Sequence, residues 1–436
     1  MARDTWYRLD NIGKFYAAQA GQQSQTVFRY AARMDAPVDP AALQQALDEA
    51  IAAFPGFNVH LRTGFFWHYL EQAAEQPQAE PEQLPICAPL HAGRQSVLFR
   101  VTYFRDRISF EVSHIVSDGR GALAFFTELL CAYARIAHGE PEKDTTSGNA
   151  SSLGERSEDS FTKHYEKDAA RSVRTPKAFR LHGVRDKDEP VYLVYHLPLQ
   201  PVLAKAKELG CGFTALVIAV VMHACAQDLR ASERGQVIRI GVPVDLRQAF
   251  GSSTARNFFG LAYVEWKADD PSEPIERIAA SVARQLKDIT RPEALKQRMN
   301  QMIKLEKSYG LKFFPVGVKD VALGVAERAA DREVTTTVSN VGRIELPPGA
   351  ARHVREMDIL TSTTGLNFLV CSFKDVLSIG ISSVIPSSDV PMDFVRTFSN
   401  WGIRGRVDSS NALDPDVYLG TVPKCTSNVA EEGNER

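Results

Sequence analysis

Residues Glu111–Ala122, EVSHIVSDGRGA, decide how the rest of the chain is read. Just upstream and into this stretch, Ile108, Phe110, Val112 and His114 alternate with Ser109, Glu111 and Ser113. That is the period-two pattern of a strand, and it places His114 at the strand's end on the apolar, inward face. Four residues later Asp118 and Gly119 open a turn into a helix expected over Gly119–Ala137, with Leu123, Phe126 and Leu130 on its core stripe. Imidazole, with an unperturbed pKa near 6.5, is the side chain suited to accepting a proton at neutral pH. A carboxylate at Asp118 can brace the turn that presents it. The plainer reading is a partly buried histidine with Asp118 as a helix N-cap.

Working outward, Val97–Phe104 reads as the hairpin partner of Ile108–His114, with Arg105-Asp106-Arg107 as the turn. Before it come a strand over Val27–Met34 and a helix over Pro40–Phe54, in which Leu43, Leu47, Ala50 and Ile51 share a face. Aromatic-rich strands follow around Phe57–Arg62 and Gly64–Leu70, then a Pro-, Glu- and Gln-rich surface loop over Glu75–Pro89. The stretch 139–160 has one large apolar residue, too little to order itself, and reads as a mobile loop. The basic run Phe161–Asp186 reads as a crossover between two lobes. Beyond it, strands are expected at Val191–Leu197, Val237–Val242, Gly260–Trp266, Val334–Ser339, Leu366–Phe373 and Val376–Ser382. Helices are expected at Pro201–Leu209, Thr214–Asp228, Pro274–Ile289, Val318–Ala329 and Val390–Trp401. The resulting organisation is an α/β protein with lobes at 1–175 and 187–422 and a frayed tail at 423–436.

Composition narrows the function. The chain has 436 residues, a net charge of −2 and no block of Lys and Arg, so nucleic acid and polybasic membrane anchoring have no electrostatic footprint. The apolar window Ala215–Ala226 is too short to span a bilayer, and the N-terminus lacks the apolar core of a signal peptide. Six dispersed cysteines without a CxxC pair fit a reducing, cytoplasmic setting. Gly210–Ala215, GCGFTA, matches GxGxxA but follows a helical segment, so Gly210 reads as a helix C-cap and Thr214 as an N-cap, not as a nucleotide fingerprint. No P-loop, HExxH or GxSxG occurs, and the histidines lack metal-ligand spacing, so no metal centre is expected.

The segment His114–Gly119, HIVSDG, resembles the HxxxDG signature of the CoA-dependent acyltransferase superfamily, which includes alcohol acetyltransferases and the condensation domains of peptide synthetases. Gly241–Gly260, GVPVDLRQAFGSSTARNFFG, is similar to the PVDLR…N..G region of the alcohol acetyltransferase-like branch. Thr337–Pro347, TVSNVGRIELP, is similar to its later SN-G segment, and the opening from Trp6 is also similar.

The resemblance implies two chloramphenicol-acetyltransferase-like lobes, with mixed sheets flanked by helices and an active-site channel between them. It makes His114 the catalytic base, acting on an acceptor that attacks the thioester directly, without an acyl-enzyme. Asp118 is then structural and pairs with an arginine, for which Arg247 is the candidate. Gly119 leaves room for substrate or a pantetheine arm, while Asn257, Ser339 and Asn340 shape the channel or lobe interface. Ser113 stands where many condensation domains carry a second histidine, and the DFGWG motif of the plant-type branch is absent. Both departures favour the alcohol acetyltransferase-like side.

The implied reaction moves an acyl group from acyl-CoA, a co-substrate and not a tightly bound cofactor, to an alcohol. Two alternatives stay open: a stand-alone condensation-like enzyme using a carrier-protein thioester, and a non-catalytic binding protein that retains the fold. A monomer is expected.

Overall fold

The hairpin around His114 forms the middle of the first sheet. The computed structural model describes residues 6–19, 26–90, 96–140, 159–164, 177–270, 272–308 and 315–409. The expected mobile loop therefore lies outside the described residues over 141–158, as do the crossover over 165–176 and the tail. In chain order the strands are β1 (Trp6–Arg8), β2 (Val27–Met34), β3 (Val59–Thr63), β4 (His68–Gln72), β5 (Ala79–Pro81), β6 (Phe99–Phe104) and β7 (Arg107–Ser113). The second half adds β8 (Val191–Pro198), β9 (Val237–Asp245), β10 (Phe259–Lys267), β11 (Thr336–Ile344), β12 (Val354–Thr361), β13 (Leu366–Phe373), β14 (Val376–Ser383) and β15 (Arg406–Ser409).

Strands β12-β2-β7-β6-β5 make a five-stranded sheet, and β10-β9-β11-β13-β14-β8-β15 a seven-stranded one; β1-β4-β3 form a small third sheet. Both large sheets mix parallel and antiparallel pairs. On the first sheet lie helices α2 (Pro40–Ala53) and α3 (Gly119–His138), which follow the short α1 (Asn11–Ala17). α3 starts at Asp118, whose side chain accepts from the Gly121 amide, and stops at Gly139 with φ 68°, the left-handed turn that glycine adopts without strain. Its buried stripe runs through Phe125, Phe126, Leu129 and Leu130. The Phe125 ring lies 4.7 Å from Phe110 and 4.8 Å from Phe57. Each buried phenylalanine contributes about 1.5–3 kcal/mol by leaving water, so this cluster fixes β7 against α3 and hence the start of α3 beside His114. The second sheet is covered by helix Phe213–Gln227, nearly all of it buried, and by Ile275–Ile289, where Ile278, Ala279 and Val282 face inward. No single described helix is long and apolar enough to cross a membrane.

Three expectations require correction. The alternation in β7 suggests a solvent face, yet all its residues are buried. Its polar face carries an ion network in which Arg29 bonds Glu111 at 3.1 Å and Glu82 at 2.9 Å, Arg107 bonds Glu82 at 3.1 Å, and Arg100 also bonds Glu111. Buried charges persist only when paired in this way. The second correction concerns 187–422. Helix Pro348–His353 leads into β12, which leaves the second lobe and pairs antiparallel with β2 of the first sheet. There it packs so closely on β14 that a Cβ at Gly380 would sit 1.9 Å from the Ile359 carbonyl oxygen. Third, the helix expected from Thr214 starts one residue earlier with Gly212 as an N-cap that lacks a side-chain bond, while Thr214 accepts from Asn340. Helix Pro292–Ser308 carries no clear stripe in the sequence and is an addition.

Candidate active site

His114 follows the last residue of β7, and its backbone is tied at both ends. Its amide donates to the Thr26 carbonyl at 2.8 Å, and its carbonyl accepts from Asn257 Nδ2 at 2.8 Å. The ring lies between Tyr16 of α1, stacked at 5.0 Å and 16°, and Phe28 of β2 at 4.4 Å, with Phe259 of β10 at 6.2 Å. The residue keeps partial exposure, while its Nδ1 is enclosed and has no hydrogen-bond partner among the described residues. Burial disfavours the imidazolium and lowers the pKa to about 4, against weaker opposition from the Asp118 charge, Asn257 and the Ser117 backbone. The ring is uncharged at neutral pH.

Asp118 does two jobs with one carboxylate. Oδ1 accepts from the Gly121 amide at 3.0 Å and from Arg247 Nη2 at 2.9 Å; Oδ2 accepts from Arg247 Nη1 at 3.0 Å and the Phe258 amide at 2.8 Å. Arg247 is fully used as well: Nε donates to Thr254 O, Nη1 also to Asp245 Oδ1, and Nη2 also to Arg256 O. All five guanidinium N–H groups thus have acceptors. These acidic partners raise the Arg247 pKa despite burial. Asp118 therefore clamps the loop after β9 onto the turn after β7, and its lone pairs are spent on that clamp and not on the imidazole.

Asn257 is buried and reaches both the His114 carbonyl and the carboxylate of Asp10, 3.3 Å from either oxygen. Asp10 caps α1 by accepting from the Gly13 amide at 2.6 Å. Its burial pushes the pKa up to about 6, with Arg256 pulling the other way. Asp10, Tyr16 and Phe28 escaped the sequence reading. Only the cap left a trace, as an aspartate three residues before Gly13; two aromatic rings converge on His114 through the fold alone.

The glycines divide differently from expectation. A Cβ at Gly119 would meet Tyr30 Oη at 3.4 Å and Val341 Cγ2 at 3.8 Å, ordinary contacts. At Gly121 it would lie 1.9 Å from Ala255 O and 2.4 Å from Ser117 Oγ, so this is the glycine that the lobe contact demands. Ser117 Oγ itself donates to Ala255 O at 2.5 Å. Ser113 is buried, with its hydroxyl 3.0 Å from Thr26 Oγ1. The Asn340 amide is committed within the second lobe: its Nδ2 donates to Thr214 Oγ1 at 2.9 Å and its Oδ1 accepts from the Gly342 amide at 2.8 Å, shaping the bulge in β11. Ser339 precedes it, half-buried opposite Leu369. A cleft of about 730 Å³ between Lys177–Gly183 and Gly235–Val237 shares no residue with this cluster.

No family model matches the sequence, and no curated protein matches it. Solved structures do match, over nearly the whole chain. F. graminearum TRI101, solved with coenzyme A and deoxynivalenol, superposes with a TM-score of 0.65 at 10% identity, covering 92% of this chain and 99% of that one. The first condensation domain of the calcium-dependent antibiotic synthetase gives 0.61 at 17% identity, with 91% and 97% covered. Polyketide synthase associated protein 5 from Mycobacterium tuberculosis gives 0.57 at 16% identity, with 89% and 97% covered. The chain has the fold shared by condensation domains and CoA-dependent acyltransferases.

Proposed function

We propose that this protein transfers an acyl group from acyl-CoA to an alcohol, with His114 as general base. The observation that carries the reading is the imidazole itself: anchored at both backbone ends, stacked on Tyr16 with the tilted Phe28 ring beside it, and uncharged at neutral pH. An uncharged, oriented imidazole can take a proton as soon as an acceptor hydroxyl reaches it. With Nδ1 enclosed, Nε2 is the atom that meets the acceptor. As the hydroxyl oxygen attacks the thioester carbonyl, its proton passes to Nε2. Collapse of the tetrahedral intermediate breaks the C–S bond and the imidazolium returns the proton to the departing thiolate. Ester and free CoA result, without an acyl-enzyme.

Coenzyme A as donor is supported by TRI101 having been solved with it, and by the starter condensation domain of rhizomide synthetase having been solved with C8-CoA. The hydroxyl acceptor is favoured by Ser113, whose hydroxyl is committed to Thr26 where many condensation domains carry a second histidine. The test is free-thiol release from acetyl- and longer acyl-CoA across a panel of alcohols and amines. Turnover with CoA thioesters and alcohols supports the proposal. Turnover only with an acylated carrier protein moves the protein to the condensation-like reading, and none with either donor moves it to a binding role.

A further inference from the structure

A second cluster of ligating side chains stands at the far end of α3 from Asp118. His138 is the last residue of that helix, Asp35 follows β2, and His353 ends the helix leading into β12. One ligand atom from each lies within 4.8 Å of the others. We propose that Asp35, His138 and His353 bind a divalent transition-metal ion of the zinc class, with Glu140 orienting His353 from behind.

The hydrogen bonds around His353 define the geometry. Its Nε2 lies 3.2 Å from Glu140 Oε1, and Glu140 is held by Arg352 Nη1 at 2.8 and 3.0 Å. A carboxylate accepting from one ring nitrogen fixes the tautomer and frees the other to ligate, the arrangement metal-bound histidines usually show. The other nitrogen, Nδ1, lies 3.0 Å from Asp35 Oδ2. Two donors about 2.1 Å from a tetrahedral zinc are about 3.4 Å apart, so this pair needs to open by a few tenths of an ångström. His138 stacks on His353 at 3.9 Å and 7°, which keeps a second imidazole nitrogen within 4.8 Å of the other two ligand atoms; because parallel rings hold their lone pairs in parallel planes, coordination turns the exposed His138 ring out of the stack onto the ion. Asp35 is itself fixed, its amide donating to His353 O at 2.9 Å and its carbonyl accepting from Arg355. The carbonyl end of α3 adds partial negative charge, and exposure at Asp35 and His138 leaves a coordination position to water. Two imidazoles with one carboxylate select zinc, copper or nickel over magnesium and calcium. Such an ion would tie β2, α3 and the crossing strand β12 together.

Titration calorimetry with zinc chloride at pH 7.5 tests this on the whole chain. One zinc per protein is expected, weakened at least tenfold by His138→Ala and by Asp35→Asn, and unaffected by His182→Ala, whose ring pairs instead with Asp228 and Glu233. His138→Ala leaves the Asp35–His353–Glu140 contacts in place, so its melting temperature without zinc checks that the fold survives. Zinc should raise the melting temperature of the wild type and not of that variant. Absent zinc binding, binding unchanged in His138→Ala, or magnesium bound as tightly as zinc would each overturn the proposal.

Discussion

Arg247 grips Asp118 with two parallel bonds of 2.9 and 3.0 Å across 129 residues of chain. The pair joins the loop after β9 to the first turn of α3, and so sets where the second lobe meets the turn that follows His114. The same carboxylate caps α3, which reconciles two readings of Asp118 that the sequence poses as alternatives.

Removing either partner leaves a buried charge uncompensated, a loss of about 3–5 kcal/mol on the usual scale. Asp118→Ala also frees the Gly121 and Phe258 amides, and Arg247→Ala the Thr254 and Arg256 carbonyls, so the two losses should be comparable. The double variant should lose less than the sum of the two. Urea melts of all four proteins read this coupling, and strict additivity would show that the clamp stabilises nothing.

His114→Ala should fold, because the bonds that anchor this residue, to Thr26 and Asn257, run through its backbone and not its ring. Acyl transfer should fall by about 10²- to 10⁴-fold, the range for a general base. Thiol release at saturating substrates measures it, with circular dichroism as the folding control. Activity near the wild-type level would remove the mechanism.

Burial lowers the His114 pKa from 6.5 to about 4, so the base form persists well below neutral pH. The acid limb of kcat/KM should accordingly fall near pH 4, not near 6.5. Tyr16→Ala opens one face of the ring to water and should move that limb upward. The sign for stability follows the same shift. The unfolded chain binds the proton first as pH falls, so this residue's contribution is present above about 6.5 and is lost progressively down to about 4. A wild-type limb near 6.5 would contradict the enclosed ring.

Gly121→Ala and Gly119→Ala form a matched pair. The first drives a methyl into Ala255 O at 1.9 Å, backbone that cannot yield cheaply, and should cost about 1–3 kcal/mol or more. The second meets only ordinary contacts and adds helix propensity, so stability should change by less than about 1 kcal/mol. Thermal melts of the two variants decide it, and an equal loss in both would show that the contact with Ala255 is not what constrains this turn.

Asn257→Ala withdraws the donor from the His114 carbonyl and from Asp10. A buried carbonyl left without its partner costs about 1–3 kcal/mol. kcat should fall while KM changes little, because the imidazole loses its tether and no binding group is removed. A KM effect alone would place Asn257 against substrate.

Local pattern was sufficient for much of this protein. Period-two alternation located β7, the apolar stripe gave α3, and Asp118 before a helical run announced a cap. Such features depend on neighbours within a few residues, which one sequence displays. What local pattern could not supply were contacts between distant segments. The packing of Tyr16 and Phe28 against the imidazole, the Asp10–Asn257–His114 chain, the buried ion network behind β7 and the exchange of β12 into the first sheet each join residues tens to hundreds of positions apart. The cluster of Asp35, His138 and His353 has no spacing to recognise for the same reason. Alternation and capping are properties of short backbone segments. Burial, pKa and convergence of side chains belong to the packed chain, and only tertiary structure decides them.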